Sequence, residues 1–241
     1  MTTDKTIEIL YEKGPCLAVM KPAGVLTQAP PGIDSIEVRV KSFLQGREAK
    51  TGNIYLGVPH RLDRPATGVL LLARHVRATR RLAQQFADRQ VRKTYWALVE
   101  GDIQPDEDTW IDVVHKIHGR PCAEVVDPQH PHGKQAILHY RVRGRAQATT
   151  LLEIELQTGR THQVRLQSAV RGHPILGDQQ YGSLRPFGPD THEWREQAIA
   201  LHAGRIEFQH PMTREPVAVQ APLPWYWIKG SGLIDLGLVS C

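Results

Sequence analysis

The spacing of apolar positions predicts a chain that alternates short strands with two amphipathic helices. Residues 6–10 and 16–20 read as strands around the turn Glu12-Lys13-Gly14-Pro15. Asp34 or Ser35 is placed to cap a helix whose apolar face is Ile36, Val40, Phe43 and Leu44, with Gly46 as its stop. Residues 69–73 form an apolar run fit for a buried strand. A helix over 76–88 then turns Thr79, Leu82, Ala83 and Phe86 inward and Arg77, Arg81 and Gln84 outward. Residues 94–99, 123–127 and 135–142 are strand-like. Residues 150–156 alternate around Leu152, Ile154 and Leu156 and end in the turn Thr158-Gly159. Residues 164–170 start as a strand and become a helix that stops at Gly172-His173-Pro174, and 205–208 is a late strand. The absence of a strict βαβ rhythm predicts an α+β fold with a mainly antiparallel sheet.

Length narrows the architecture. A chain of 241 residues, 41% apolar, can bury one sizeable core, expected over about 6–222 with a tail at 223–241. The run at 69–73 falls far short of the ~20 apolar residues a bilayer requires. The start MTTDKTIEIL has no secretory apolar region. Cys16, Cys122 and Cys241 are scattered and form no CxxC pair, which fits a reduced cytoplasm rather than a disulfide framework.

Charge adds a candidate partner. The net charge is +5, and between residues 61 and 100 nine bases (Arg61, Arg64, Arg74, Arg77, Arg80, Arg81, Arg89, Arg92, Lys93) face only Asp63, Asp88 and Glu100. Such a field suits phosphates, although for a charge run taken alone a solvated helix face is the commoner explanation.

Three segments carry candidate chemistry. In His60-Arg61-Leu62-Asp63-Arg64-Pro65 a loop carboxylate lies between arginines, which favour its ionised form. An ionised carboxylate serves as nucleophile or base; a plain Asp–Arg ion pair is the alternative. Thr158-Gly159-Arg160-Thr161-His162-Gln163-Val164-Arg165 collects donors after a glycine turn, suited to an anion or a base edge, or simply to a polar strand end. Lys93-Thr94-Tyr95-Trp96 sets aromatics beside bases, suited to stacking on an extruded base or to filling a sheet. His115, His118, His130 and His132 cluster without metal-site spacing, and no nucleotide-binding glycine motif is present, so neither metal nor nucleotide cofactor is expected.

Taken together and in order, these segments resemble the RluA family of RNA pseudouridine synthases. Lys21-Pro22-Ala23-Gly24 is similar to the family's Lys-Pro-x-Gly loop, and His60-Arg61-Leu62-Asp63 with Thr67-Gly68 to its catalytic motif. Lys93-Thr94-Tyr95, the 158–165 segment, His173-Pro174-Ile175-Leu176-Gly177-Asp178 with Tyr181-Gly182, Leu201-His202-Ala203 and His210-Pro211 complete the series. The resemblance implies the pseudouridine synthase fold, no cofactor, and catalytic roles for Asp63, Tyr95 and Arg165. Asp63 would be the shared aspartate, Tyr95 would stack on the uracil, and Arg165 would pair with Asp63. Arg61 would fill the space of the flipped nucleotide. His60, Arg64, Lys21, Arg160, His162, Gln163 and Lys93 would join it in binding RNA, with rRNA or tRNA as partner and the protein a monomer. The family often has Val-His where Leu166-Gln167 stands here, and Thr-Ser where Ala66-Thr67 stands. The competing expectation is an RNA-binding or RNA-folding module with secondary or lost catalysis; a metal-dependent hydrolase is more distant.

Overall fold

The computed structural model describes residues 7–228. Its strands are β1 (Ile9–Lys13), β2 (Cys16–Lys21), β3 (Thr67–Ala73), β4 (Arg92–Glu100), β5 (Glu107–Lys116), β6 (Ala123–Val125), β7 (Lys134–Ala146), β8 (Thr149–Leu156), β9 (Leu201–Gln209) and β10 (Pro216–Gln220). Its helices are α1 (Ile36–Arg47), α2 (Val76–Ala87), α3 (Gln163–Ala169) and α4 (Trp225–Ile228). The chain divides into two compact units. Among the described residues the first comprises 7–92 and 203–222, and the second 93–202 and 223–228. Every described pairing between named strands is antiparallel, so the α+β expectation holds.

In the first unit β1, β2 and β3 form an antiparallel ladder, β9 follows β3, and β10 pairs with β9. All seven residues of β3 are buried, which is why that strand reads as a continuous apolar run rather than an alternation. Ser35 caps α1 by accepting from the Val38 N–H at 3.3 Å, and Ile36, Val40 and Leu44 are buried. Gly46 does not stop this helix. It is its penultimate residue, and the left-handed turn comes at Ala49 (φ 49°). His75 caps α2 by accepting from the Arg77 N–H at 3.1 Å. The buried stripe of α2 is Ala78, Leu82 and Gln85, whereas Ala83 is exposed. The stripe departs from the predicted one because Gln85 is drawn inward. Its amide donates to the Gln209 carbonyl and accepts from the Gln209 N–H, both at 2.9 Å.

Gly68 brings the Thr67-Gly68 segment against Ala203, far away in sequence. Its φ is +121°, and a Cβ there would lie 2.3 Å from the Ala203 carbonyl oxygen and 2.5 Å from the Ala203 nitrogen. Two backbones touch at a point where only glycine fits. Gly68→Ala is expected to destabilise the protein by roughly 2–3 kcal/mol, from backbone strain plus overpacking. Urea unfolding measures it, and an unchanged midpoint would contradict the close approach.

In the second unit the order is β4-β8-β7-β5-β6. Strand β5 escapes the hydrophobic pattern because its inward positions Trp110 and Val114 are separated by Asp112. That acid accepts from Gln167 Nε2 at 2.6 Å and from Arg171 Nη1 at 2.9 Å. Strand alternation is present, but one of its inward members is a paired carboxylate. Gln167, which stands where the family often has histidine, is fully buried and ties α3 to β5. Residues 163–169 are helical throughout and do not begin as a strand. Six of the seven, from Gln163 to Ser168, are buried. The expected tail opens instead with α4, where Trp227 is buried against Phe187 and His202, with ring centroids 5.3 and 5.9 Å away.

Candidate active site

The loop bearing Asp63 is fastened on four sides within the first unit. His60 Nε2 accepts from the Leu71 N–H at 2.9 Å, and its ring stacks on Phe86 with centroids 4.6 Å apart. Thr27 Oγ1 donates to the Leu62 carbonyl (2.8 Å) and accepts from the Leu62 N–H (3.1 Å). The Gly24 N–H donates to the Arg64 carbonyl at 2.9 Å, and the Ala66 N–H closes a turn onto the Asp63 carbonyl at 3.2 Å. Lys21 completes the clamp, donating from Nζ to the carbonyls of Pro22 (2.8 Å), Arg64 (3.1 Å) and Ala66 (2.8 Å). Both residues flanking Asp63 are therefore fixed through their backbones, and the half-buried Asp63 is presented on a preorganised turn.

Lys21 corrects one expectation. It is fully buried and its three donors are taken by carbonyls, so it holds the loop rather than reaching for an RNA phosphate. Burial is the main influence on its ammonium, opposed by the charge of Asp63 and reinforced by Arg39 and Arg64; its pKa falls to about 7. An unfolded lysine titrates near ~10.4. Between those values the unfolded chain binds more protons, so stability rises with pH from about 7 upward. Lys21→Met is expected to abolish that rise and, by loosening the loop, to lower turnover roughly tenfold. Melting temperatures at pH 7 and 9, with initial rates, check both. An unaltered pH dependence would count against the buried ammonium.

The basic stretch is less free than its sequence implies. Arg74 pairs with Glu12 and Glu48, acids that lie outside the stretch, and Arg81 Nη1 donates to the Pro211 carbonyl at 2.7 Å. Arg61, Arg77, Arg80 and Arg89 are exposed, and Arg64 is half-buried.

In the second unit Arg165 lies on α3, only 3% exposed. Its Nε and Nη2 grip Asp178 bidentately at 2.7 and 2.8 Å, Nη2 also reaches Gln180 Oε1 at 2.9 Å, and the guanidinium lies 4.9 Å from the Tyr181 ring centroid. The Tyr181 hydroxyl shares a hydrogen bond with His162 Nδ1 at 2.9 Å and accepts from the Ala123 N–H at 3.1 Å. Asp178 and Tyr181 thus organise the site, a role the sequence reading did not give them. The signal was their place in the segment after His173. His162 takes a left-handed backbone (φ 53°) that turns the chain into α3.

Tyr95 is 8% exposed and faces Ile154 across the β4–β8 ladder. Lys93, two residues earlier on the same strand face, is half-buried beside Gly159. Gln163 is buried. Its Oε1 accepts from Thr158 Oγ1 (2.7 Å) and the Arg160 N–H (3.0 Å), and Arg160 Nε donates to the Gln135 carbonyl at 2.9 Å.

The rings of His115, His130 and His132 gather, with centroids 4.7 to 6.2 Å apart. Among the described residues no group of His, Cys, Asp and Glu is arranged to hold a metal ion. No helix among them is long and apolar enough to cross a membrane.

Three comparisons with known proteins bear on the family and the fold. The family model described as RNA pseudouridylate synthase matches residues 16–169. The chain is 35% identical over 230 residues to ribosomal large subunit pseudouridine synthase D of Xylella fastidiosa, covering 92% of this chain and 67% of the relative. It is 35% identical over 237 residues to tRNA pseudouridine synthase C of Salmonella typhimurium, covering 92% and 88%. Among solved structures, human RNA pseudouridylate synthase domain containing 4 has the same fold, with a TM-score of 0.75 at 21% identity, covering 97% and 94%. The chain belongs to the RluA family of RNA pseudouridine synthases.

Proposed function

We propose that this enzyme isomerises specific uridines to pseudouridine in structured RNA, rRNA or tRNA, with Asp63 as its catalytic group. The observation that carries the proposal is the clamped Asp63 turn, in which Lys21, Thr27 and Gly24 immobilise the backbone on either side of one carboxylate. The reaction breaks the N1–C1′ bond, turns the retained uracil and joins C5 to C1′. Both the sugar-attack and the proton-abstraction routes need an ionised carboxylate held in place. Tyr95 stacks on the uracil, Arg165 orients Asp63, and exposed Arg61 enters the space of the flipped nucleotide. His60 and Arg64 shape that loop, while Arg160, His162, Gln163 and Lys93 receive the RNA strand. Leaving the stack costs a few kcal/mol, which phosphate contacts and stacking offset.

The relatives named for rRNA and for tRNA make both RNAs candidates. The free thiols of Cys16 and Cys122 fit a reducing cytoplasm, and we assign a monomer that uses no nucleotide cofactor. Tritium release from RNA labelled at uracil C5, followed by mapping of pseudouridines in total RNA with and without the gene, tests the reading. No release from either RNA class, and an unchanged map, would refute it.

A further inference from the structure

Around the turn at Gly159 stand a half-buried ammonium and a buried amide donor with no hydrogen-bond partner. The Lys93 ammonium would lie 3.5 Å from a Cβ on Gly159, so only the missing side chain separates it from the exposed face of the turn. Burial is the sole influence on it; no carboxylate offsets the lost water, and its pKa falls to about 8. The charged groups nearby are committed elsewhere or follow along the turn. Arg160 donates to Gln135, His162 bonds Tyr181, Arg165 and Asp178 bind each other, and Glu155 lies one residue off the strand position facing Lys93. The second donor is Gln163 Nε2, in a side chain 3% exposed and without a hydrogen-bond partner. Its amide cannot usefully flip, because Oε1 already accepts from Thr158 Oγ1 and the Arg160 N–H, the residues on either side of Gly159. A desolvated cation and a buried, fixed N–H group beside one side-chain-free turn form a site built for a full negative charge.

We propose that Lys93, the Gly159 turn and the Gln163 amide form an anion subsite that takes a backbone phosphodiester of the RNA. Lys93 and Tyr95 share one face of β4, so this phosphate belongs to the nucleotides next to the base that Tyr95 meets. A uracil carbonyl would satisfy Gln163, but only an anion compensates Lys93. The inference rests on the RNA-modifying reading, and its test is separate from that of catalysis.

The test measures affinity by fluorescence anisotropy, on whichever unmodified transcript, tRNA or 23S rRNA fragment, gives wild-type tritium release. A bound phosphate raises the ammonium pKa, so binding is tightest below pH 8. From pH 7 to pH 9 wild-type affinity falls about tenfold. Lys93→Met loses about tenfold at pH 7, shows no such fall, and lowers the slope of log K against log salt by about one. Lys93→Arg binds at pH 7 like wild type but without the pH dependence. Lys93→Met is also the more heat-stable protein at pH 7, because it removes a half-buried charge whose lost hydration no carboxylate offsets; this separates a ligand site from a structural one. Wild-type affinity and salt slope in Lys93→Met, or an unchanged pH fall in Lys93→Arg, overturns the proposal. Loss of tritium release in wild type would instead overturn the enzymatic reading.

Discussion

Asp63→Asn leaves RNA affinity within about threefold of wild type and takes pseudouridine formation below about one-thousandth of it. The amide matches the carboxylate in size but is neither nucleophile nor base at neutral pH. The loop is held through backbone groups of its neighbours and through Lys21, Thr27 and His60, so the substitution leaves its shape in place. The proposed RNA contacts are arginines and Lys93 rather than this acid, and removing a negative charge beside RNA does not weaken binding. Tritium release and anisotropy on one RNA give both numbers. Retained turnover would remove Asp63 from the chemistry and leave the ion-pair reading of that loop.

The largest effect on stability is expected at the pair Arg165–Asp178. The two are 3% and 1% exposed, and the contact is bidentate. Asp178→Asn takes the bidentate carboxylate away from a buried guanidinium and is expected to cost about 3–5 kcal/mol. Arg165→Met strands the carboxylate and costs a similar amount. The double variant Arg165→Met with Asp178→Leu removes both charges together and is expected to recover stability to within about 1–2 kcal/mol of wild type. Activity does not return with it, because the proposed orienting group for Asp63 is gone. Chemical denaturation and single-turnover rates on the four proteins read the two effects separately. A double variant that is both stable and active would make Arg165 a purely structural residue.

Much of the fold can be read from local pattern because local pattern caused it. The caps and faces of α1 and the apolar run of β3 depend on neighbours in sequence. Other readings changed where a distant partner intervened. Gln85 is buried because it bridges Gln209, Asp112 can stand inward in β5 because Gln167 and Arg171 satisfy it, and Arg74 is neutralised by Glu12 and Glu48. Hydrophobicity treats such residues as surface. Only a tertiary partner makes their burial affordable.

The ordered motifs, by themselves, determined the family, the mainly antiparallel α+β fold and the identity of the candidate residues, because each motif carries backbone constraints and chemistry that survive without neighbours. The tertiary structure decided what each residue does within its unit. Lys21 became the clamp of the Asp63 loop, Asp178 the anchor of Arg165, Gly68 the place where two backbones meet, and Lys93 a half-buried ammonium beside the Gly159 turn. Those roles depend on distances of about 3 Å between groups tens of residues apart, the range over which hydrogen bonds and desolvation act.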